Sequence, residues 1–346
     1  MPRASLKNAF NKEPDWEEIN AFVEAAREGR VAEVERFAQE FPAAIDTLVW
    51  HHSYIGQTAL MHAALTGQMG VVEVLLANGA AVDAGNGLSG TALAIAAGRG
   101  DRPMVELLLA HGAAINPIEP DGWRSVMSAA AGSGDVTIVT LLLDRGGVPD
   151  AHSLVSAAAG GHLAVTRLLI EHGAFPDQQA LNTAAWGGHR DVAQLLIEAG
   201  AYADGAALKS AASGGQLEIA RFLIRNGAPA DTDALDDRTA LMSAAAGGHQ
   251  EIIRLLVDHG ANLNKQNARG ETALMFAVSC GVAGTVRLLL EGGADPRLAT
   301  KEGHTALSIV KQHLTVFKDS ELLKGVEGLL ETWGTRPPAR NNAPRL

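Results

Sequence analysis

The spacing of one recurring glycine governs what this chain can fold into. Glycines at 67, 100, 134, 161, 188, 215, 248 and 281 each follow a short alanine-rich run, at intervals of 33, 34, 27, 27, 27, 33 and 33 residues. Intervals of that size signal a stacked array in which each unit buries its apolar face only against its neighbours. The segment "DRTALMSAAAGGHQEIIRLLVDHGANLN" (237–264) is the cleanest copy. A threonine two residues before a leucine, at Thr58, Thr91, Thr239, Thr272 and Thr305, can cap a first helix. The small alanines permit close helix approach, and the glycine ends the helix in a left-handed conformation. A second helix follows with apolar residues at helical spacing, as at Ile252, Ile253, Leu255 and Leu256, and a further glycine closes the unit.

This T-x-L…A-A…G-H…L-L…G-A pattern resembles the ankyrin repeat. Nine copies or near-copies run from residue 15 to residue 334. The family's TPLH is nowhere intact: its histidine position holds Met61, Ala94, Ser128, Met242 or Met275. The resemblance implies an all-α solenoid of about ten stacked helix pairs. It also implies β-hairpin fingers between the pairs and a concave face of fingers and first helices that holds a protein or peptide.

The array is expected to form a single solenoid over 15–334. A degenerate copy at 15–46 (Phe22, Ala25, Ala26, Gly29, Val34, Phe37) reads as the N-terminal cap. Residues 303–334, with Leu314 where a glycine belongs, read as the C-terminal cap. Residues 1–14 and 335–346 are expected to be a flexible terminus and a disordered tail.

One irregularity breaks the period. Ordinary copies run 14 residues from the closing glycine to the next helix leucine, as from Gly260 to Leu274. Gly146 to Leu154, Gly173 to Leu181 and Gly200 to Leu208 each span eight. The missing six residues predict that fingers are absent between about 148 and 232, with Asp150, Asp177 and Asp204 replacing threonine as caps. Fingers are expected before the repeats starting near 56, 89, 123, 237, 270 and 303.

Little else in the sequence points to chemistry. "GNGLSG" (85–90) matches a dinucleotide-binding glycine pattern but lacks the preceding strand, so a turn is the better reading. His162, His189 and His249 follow the repeat glycine, and His111, His172 and His259 precede the closing one. Equivalent positions on stacked helices lie roughly 8–10 Å apart, too far to share one metal. These histidines therefore read as backbone-bonding groups. "HHS" (51–53), in an insertion at 47–55, reads as a solvated loop, and Cys280 as a bystander thiol at a helix end. No catalytic residue, cofactor or metal is expected. An enzyme or secreted effector with an unrecognised active site on the solenoid is the alternative, and no segment outside the array is large enough for a catalytic domain.

A net charge of −11 argues against nucleic acid as partner and is compatible with a basic protein. The charged N-terminal stretch, the single cysteine and the lack of an apolar membrane-length run predict a cytoplasmic protein, expected to be a monomer. An arginine-to-lysine ratio of 20 to 8 hints at a bacterial source. Scaffold, inhibitor and immunity protein remain open as roles.

The candidate partner-binding residues centre on Trp186 in "AAWGGH". Its counterparts are Leu65, Gly98, Gly132, Ala159, Ser213, Ala246 and Ser279, so stacking needs no ring there. The indole is expected to stand over a bare floor that includes Gly160, Gly187 and Gly214. Asn182 and Lys209 are expected to add polar contacts. Trp123, Arg124 and Arg99 would form one wall, Arg238 and Arg269 the other, with Tyr54 joining from the first finger.

Overall fold

The structure is a computed structural model that describes residues 13–51, 54–85, 90–116, 125–231, 238–317 and 320–334, with only the backbone for 50, 51, 54 and 55. The chain divides into two compact units, residues 1–175 and 176–346. Each is a stack of five helix pairs.

In the first unit the pairs are α1 (Trp16–Glu28) and α2 (Val31–Glu40), α3 (Ala59–Thr66) and α4 (Met69–Ala77), α5 (Ala92–Gly98) and α6 (Arg102–Ala110), α7 (Val126–Ser133) and α8 (Val136–Asp144), and α9 (Ala151–Gly160) and α10 (Leu163–Glu171). A two-stranded antiparallel hairpin, β1 (Val49–His51) and β2 (Tyr54–Gln57), precedes α3. The segment read as an insertion is thus the first finger itself. First helices pack on first helices from α1 through to α9, and second helices on second helices at α2–α4, α6–α8 and α8–α10.

In the second unit the pairs are α11 (Gln178–Gly187) and α12 (Arg190–Glu198), α13 (Gly205–Ser213) and α14 (Leu217–Arg225), α15 (Ala240–Gly247) and α16 (Gln250–Asp258), α17 (Ala273–Ser279) and α18 (Ala283–Glu291), and α19 (Ala306–Val316) and α20 (Glu321–Gly334). First helices α11, α13, α15, α17 and α19 pack in that order.

The alanine pairs explain the tight first-helix layer. Ala184 and Ala185 in α11, Ala211 and Ala212 in α13, and Ala244 and Ala245 in α15 are fully buried, which brings the helix backbones close. Leucines on both layers fill the space between, among them Leu181, Leu208, Leu223 and Leu256. The expected threonine caps all form: the hydroxyls of Thr58, Thr91, Thr239, Thr272 and Thr305 accept from the backbone three residues on. Ser125 does the same for α7, where no threonine stands.

The three short junctions at 147–150, 174–177 and 201–204 are fully described and hold no strand. Asp150, Asp177 and Asp204 cap α9, α11 and α13 as anticipated. These helices run 10, 10 and 9 residues, against 7 or 8 for the other first helices of complete repeats, α3, α5, α7, α15 and α17. Each reaches two residues further toward its entry than a threonine-capped helix does.

Fingers are described in full before α17 and α19, and before α3 except at residues 52 and 53. In the α17 finger the Asn267 N–H donates to the Glu271 carbonyl (3.0 Å), and Gly270 turns with φ +77°. A Cβ on Gly270 would press within 2.9 Å of the Thr300 Cα of the next finger. The Lys301 N–H donates to the Arg269 carbonyl (2.9 Å), joining the two fingers. The fingers expected before α5, α7 and α15 lie in part outside the described residues.

The first and last helix pairs differ from those between them. Asp15 and Glu18 form a reciprocal capping box at the start of α1, and Phe22, Phe37 and Phe41 cluster between α1 and α2. At the other end α19 continues to Val316, because Leu314 stands where the helix-ending glycine would be. No helix among the described residues is long and apolar enough to cross a membrane.

Candidate partner-binding surface

Trp186 lies in the last turn of α11 with 61% of its surface exposed. Asn182, one turn earlier on the same helix, is half-buried, and so is Lys209 on the adjacent α13. These three residues share the first-helix layer of the second unit. Ser213, Ala246 and Ser279 hold the tryptophan's register on α13, α15 and α17 and are at least partly exposed. None of them needs bulk to pack, and the indole lies outside the core.

The bare floor is not what the structure shows. The space above Gly160 and Gly187 is filled by the imidazoles of His162 and His189, which fold back over them. At Gly214 a Cβ would collide with the Trp186 carbonyl oxygen itself. Gln216 donates from its side chain to that same carbonyl (3.3 Å). Gly187 and Gly214, beside the indole in the second unit, are therefore small because ring and backbone packing requires it.

The histidines largely serve as backbone ligands. His162 Nε2 bonds the Gly132 carbonyl oxygen at 3.2 Å, tying one repeat to the preceding one. His111, His172 and His259 each bond through Nδ1 to the carbonyl four residues earlier. Among the described residues no group of three or more His, Cys, Asp or Glu could hold a metal ion.

The expected walls are only partly assembled. The Arg238 guanidinium sits 4.4 Å from the centre of the Phe276 ring on α17, so a cation–π contact within the array holds it. Arg269 is exposed on the α17 finger and pairs with Glu271 at 3.3 Å. Arg99 is exposed just beyond α5, and Tyr54 lies on β2, both in the first unit. Trp123 and Arg124 lie outside the described residues, as do most of "GNGLSG" and His52 and Ser53 of "HHS".

A second set of exposed residues escaped the sequence reading. Val148, Phe175 and Tyr202 are 65%, 80% and 80% exposed. Each stands two residues after the closing glycine of a finger-less junction. The same register elsewhere holds Ala81, Ala114, Pro229, Asn262 and Asp295, all small or polar. Aligning the closing glycines would have revealed the contrast; following the helix-ending glycines did not.

Family models of ankyrin repeats match residues 71–152, 127–207 and 208–300, and a single-repeat model matches 56–84. In three dimensions the chain is similar to the human ASB11 ankyrin repeat domain, with a TM-score of 0.50 and 23% sequence identity. That likeness covers 62% of this chain and 100% of that domain, and at such identity it speaks for the fold alone. No curated protein matches the chain. The repeat caps, the paired helices and the family models spanning 71–300 agree: the chain belongs to the ankyrin-repeat family.

Proposed function

We propose that this chain is a non-enzymatic interaction module that binds a protein or peptide through the exposed first-helix face around Trp186. The observation that carries the reading is a large indole left mostly in solvent where the other repeats of the second unit place Ser213, Ala246 and Ser279. Tryptophan is enriched among the residues that dominate interface energetics, and its flat ring offers large contact area at low entropy cost. Asn182 and Lys209 supply hydrogen-bonding groups beside it. The single cysteine, Cys280, and the acidic balance support a soluble monomer in a reducing compartment, whether its role is that of inhibitor, immunity protein or scaffold.

The test is Trp186→Ala, measured against the partner identified by affinity capture and mass spectrometry. The indole is exposed, so the thermal midpoint should move by no more than a degree or two. Calorimetry should show affinity weakened by at least about 2 kcal/mol, roughly thirtyfold. Unchanged affinity would make the indole a packing residue and remove it from the binding face.

A further inference from the structure

Repeats entered through a finger and repeats entered without one treat the backbone donor that follows them differently. In fingered repeats the amide two residues past the closing glycine is held by an Asp or Asn of the preceding repeat. In the first unit the Ala81 N–H donates to Asp46 (3.1 Å), Ala114 to Asp83 (2.9 Å) and Val148 to Asn116 (3.0 Å). In the second unit Asn262 donates to Asp231 (3.1 Å) and Asp295 to Asn264 (2.7 Å).

At the short junctions this acceptor is engaged elsewhere. Asp150, Asp177 and Asp204 occupy its register, four residues after the closing glycine, but turn inward to cap their own helices. The amides that lose their acceptor belong to Phe175, Tyr202 and Pro229. Proline has no N–H to leave stranded. The Phe175 and Tyr202 N–H groups find no acceptor among the described residues. Each free donor therefore stands beside an aromatic side chain that is 80% exposed.

The chain that carries these residues is mostly acidic. Glu171 and Asp177 flank Phe175, and Glu198 and Asp204 flank Tyr202. From 171 to 204 there are five carboxylates and one arginine, Arg190, a balance of −4 with histidine neutral. Arg190 itself lies over the Phe222 ring, 5.5 Å from its centre. The second helices α10 and α12 end at these junctions, and helix C-termini add partial negative charge.

We infer that the finger-less edge at Tyr202 docks an extended, basic segment of a protein partner. A carbonyl of that segment accepts from the Tyr202 N–H, and a guanidinium or aliphatic chain lies over the phenol ring. Phe175 offers the same pair of features at its own junction. Main-chain bonds give such docking affinity, while side-chain contacts give selectivity. The inference rests on the chain being an interaction module, but it places contact at a different point from Trp186. Tyr202 precedes the start of α13, whereas Trp186 ends α11.

A displayed library of random ten-residue peptides, selected on the wild-type protein, tests this. Tyr202→Pro removes the donor, and Pro229 after Ala228 shows that the repeat accepts proline in this register after an alanine. Tyr202→Ser keeps the donor and removes the ring. The selected pool should be rich in Lys and Arg and bind at least tenfold more weakly to both variants, with circular dichroism melts unchanged. Trp186→Ala should not alter its binding. No enriched peptide, an acidic pool, or equal binding to wild type and Tyr202→Pro overturns the inference. A pool sensitive to Trp186→Ala and indifferent to Tyr202 overturns it too, while leaving the Trp186 face standing. Loss of native-partner binding in Tyr202→Pro but not in Trp186→Ala would sink the face and keep the edge.

Discussion

Two neighbourhoods of the second unit, α13–α14 and α17–α18, build the same helix pair and differ in how the chain enters it. Entry to α17 runs through a finger closed by Gly270, bonded through Asn267 and joined to the next finger, before Thr272 caps the helix. Entry to α13 takes four residues, and Asp204 both caps the helix at Ala207 N (2.9 Å) and accepts from the Gln178 side chain of α11 (2.9 Å). A parallel bond joins Ser125 to Asp150 in the first unit (2.8 Å). The core layers are equally buried in both, as Leu208 and Leu274 show. The finger is thus an attachment to the stack, and the entry residue decides whether an Asp or Asn serves the next repeat or its own helix.

The largest expected effect tests whether the finger-less repeat is as firmly packed as the fingered one. Leu223 in α14 and Leu289 in α18 are both fully buried. Truncation of either to alanine should cost roughly 2–5 kcal/mol in urea unfolding. Leu330 in the last helix, which has one interface fewer, should cost less. A much cheaper Leu223→Ala would mean that the short junction loosens its repeat.

An intermediate effect separates the two jobs of the Asp or Asn register. Asp204→Ala removes a helix cap and should cost about 1 kcal/mol, with Asp204→Asn recovering most of it. Asp231→Ala, which releases one exposed amide and a half-exposed ion pair with Lys265 (3.7 Å), should cost about half as much. Equal losses in parallel melts would erase the distinction between cap and ladder.

The smallest effect is one of pH. The fingered repeat of α3 buries His62, whereas the same register in finger-less α11 and α13 holds half-buried Thr183 and Ser210. Burial pushes the His62 pKa down, opposed by Glu24 and reinforced by Arg27. The unfolded chain therefore takes up a proton that the folded chain resists. Stability is full above the ordinary histidine value of about 6.5 and declines as pH falls below it toward the folded value. His62→Gln should flatten that decline in melts between pH 7 and pH 5; an unchanged slope would assign it to other groups.

The helix pairs, the threonine caps and the finger-less junctions were legible in the sequence because each depends on local chemistry at fixed spacing. Asp150, Asp177 and Asp204 could be identified as caps from a count to the next leucine. The surroundings of Trp186 were not legible, because Gly187 and Gly214 look vacant in one dimension and are filled by His189 and by a backbone carbonyl. Arg238 looked like a free wall residue because its Phe276 partner lies 38 positions away in the chain. Phe175 and Tyr202 were visible as letters, but their exposure depends on a register that stacking leaves in solvent, as it does Val148.

The dual-purpose acceptor four residues after the closing glycine has a consequence for how such arrays diverge. Where the acceptor is aspartate, six residues can be deleted from or added to an entry segment while that side chain remains useful in either state, as ladder or as cap. A change in loop length then needs no compensating substitution at that position. Recombination between neighbouring repeats at this point would yield folded progeny at once, with a new rim outline and an unaltered interior. For engineering, the short junctions are the natural places to graft loops of foreign sequence, because the array already tolerates both lengths side by side.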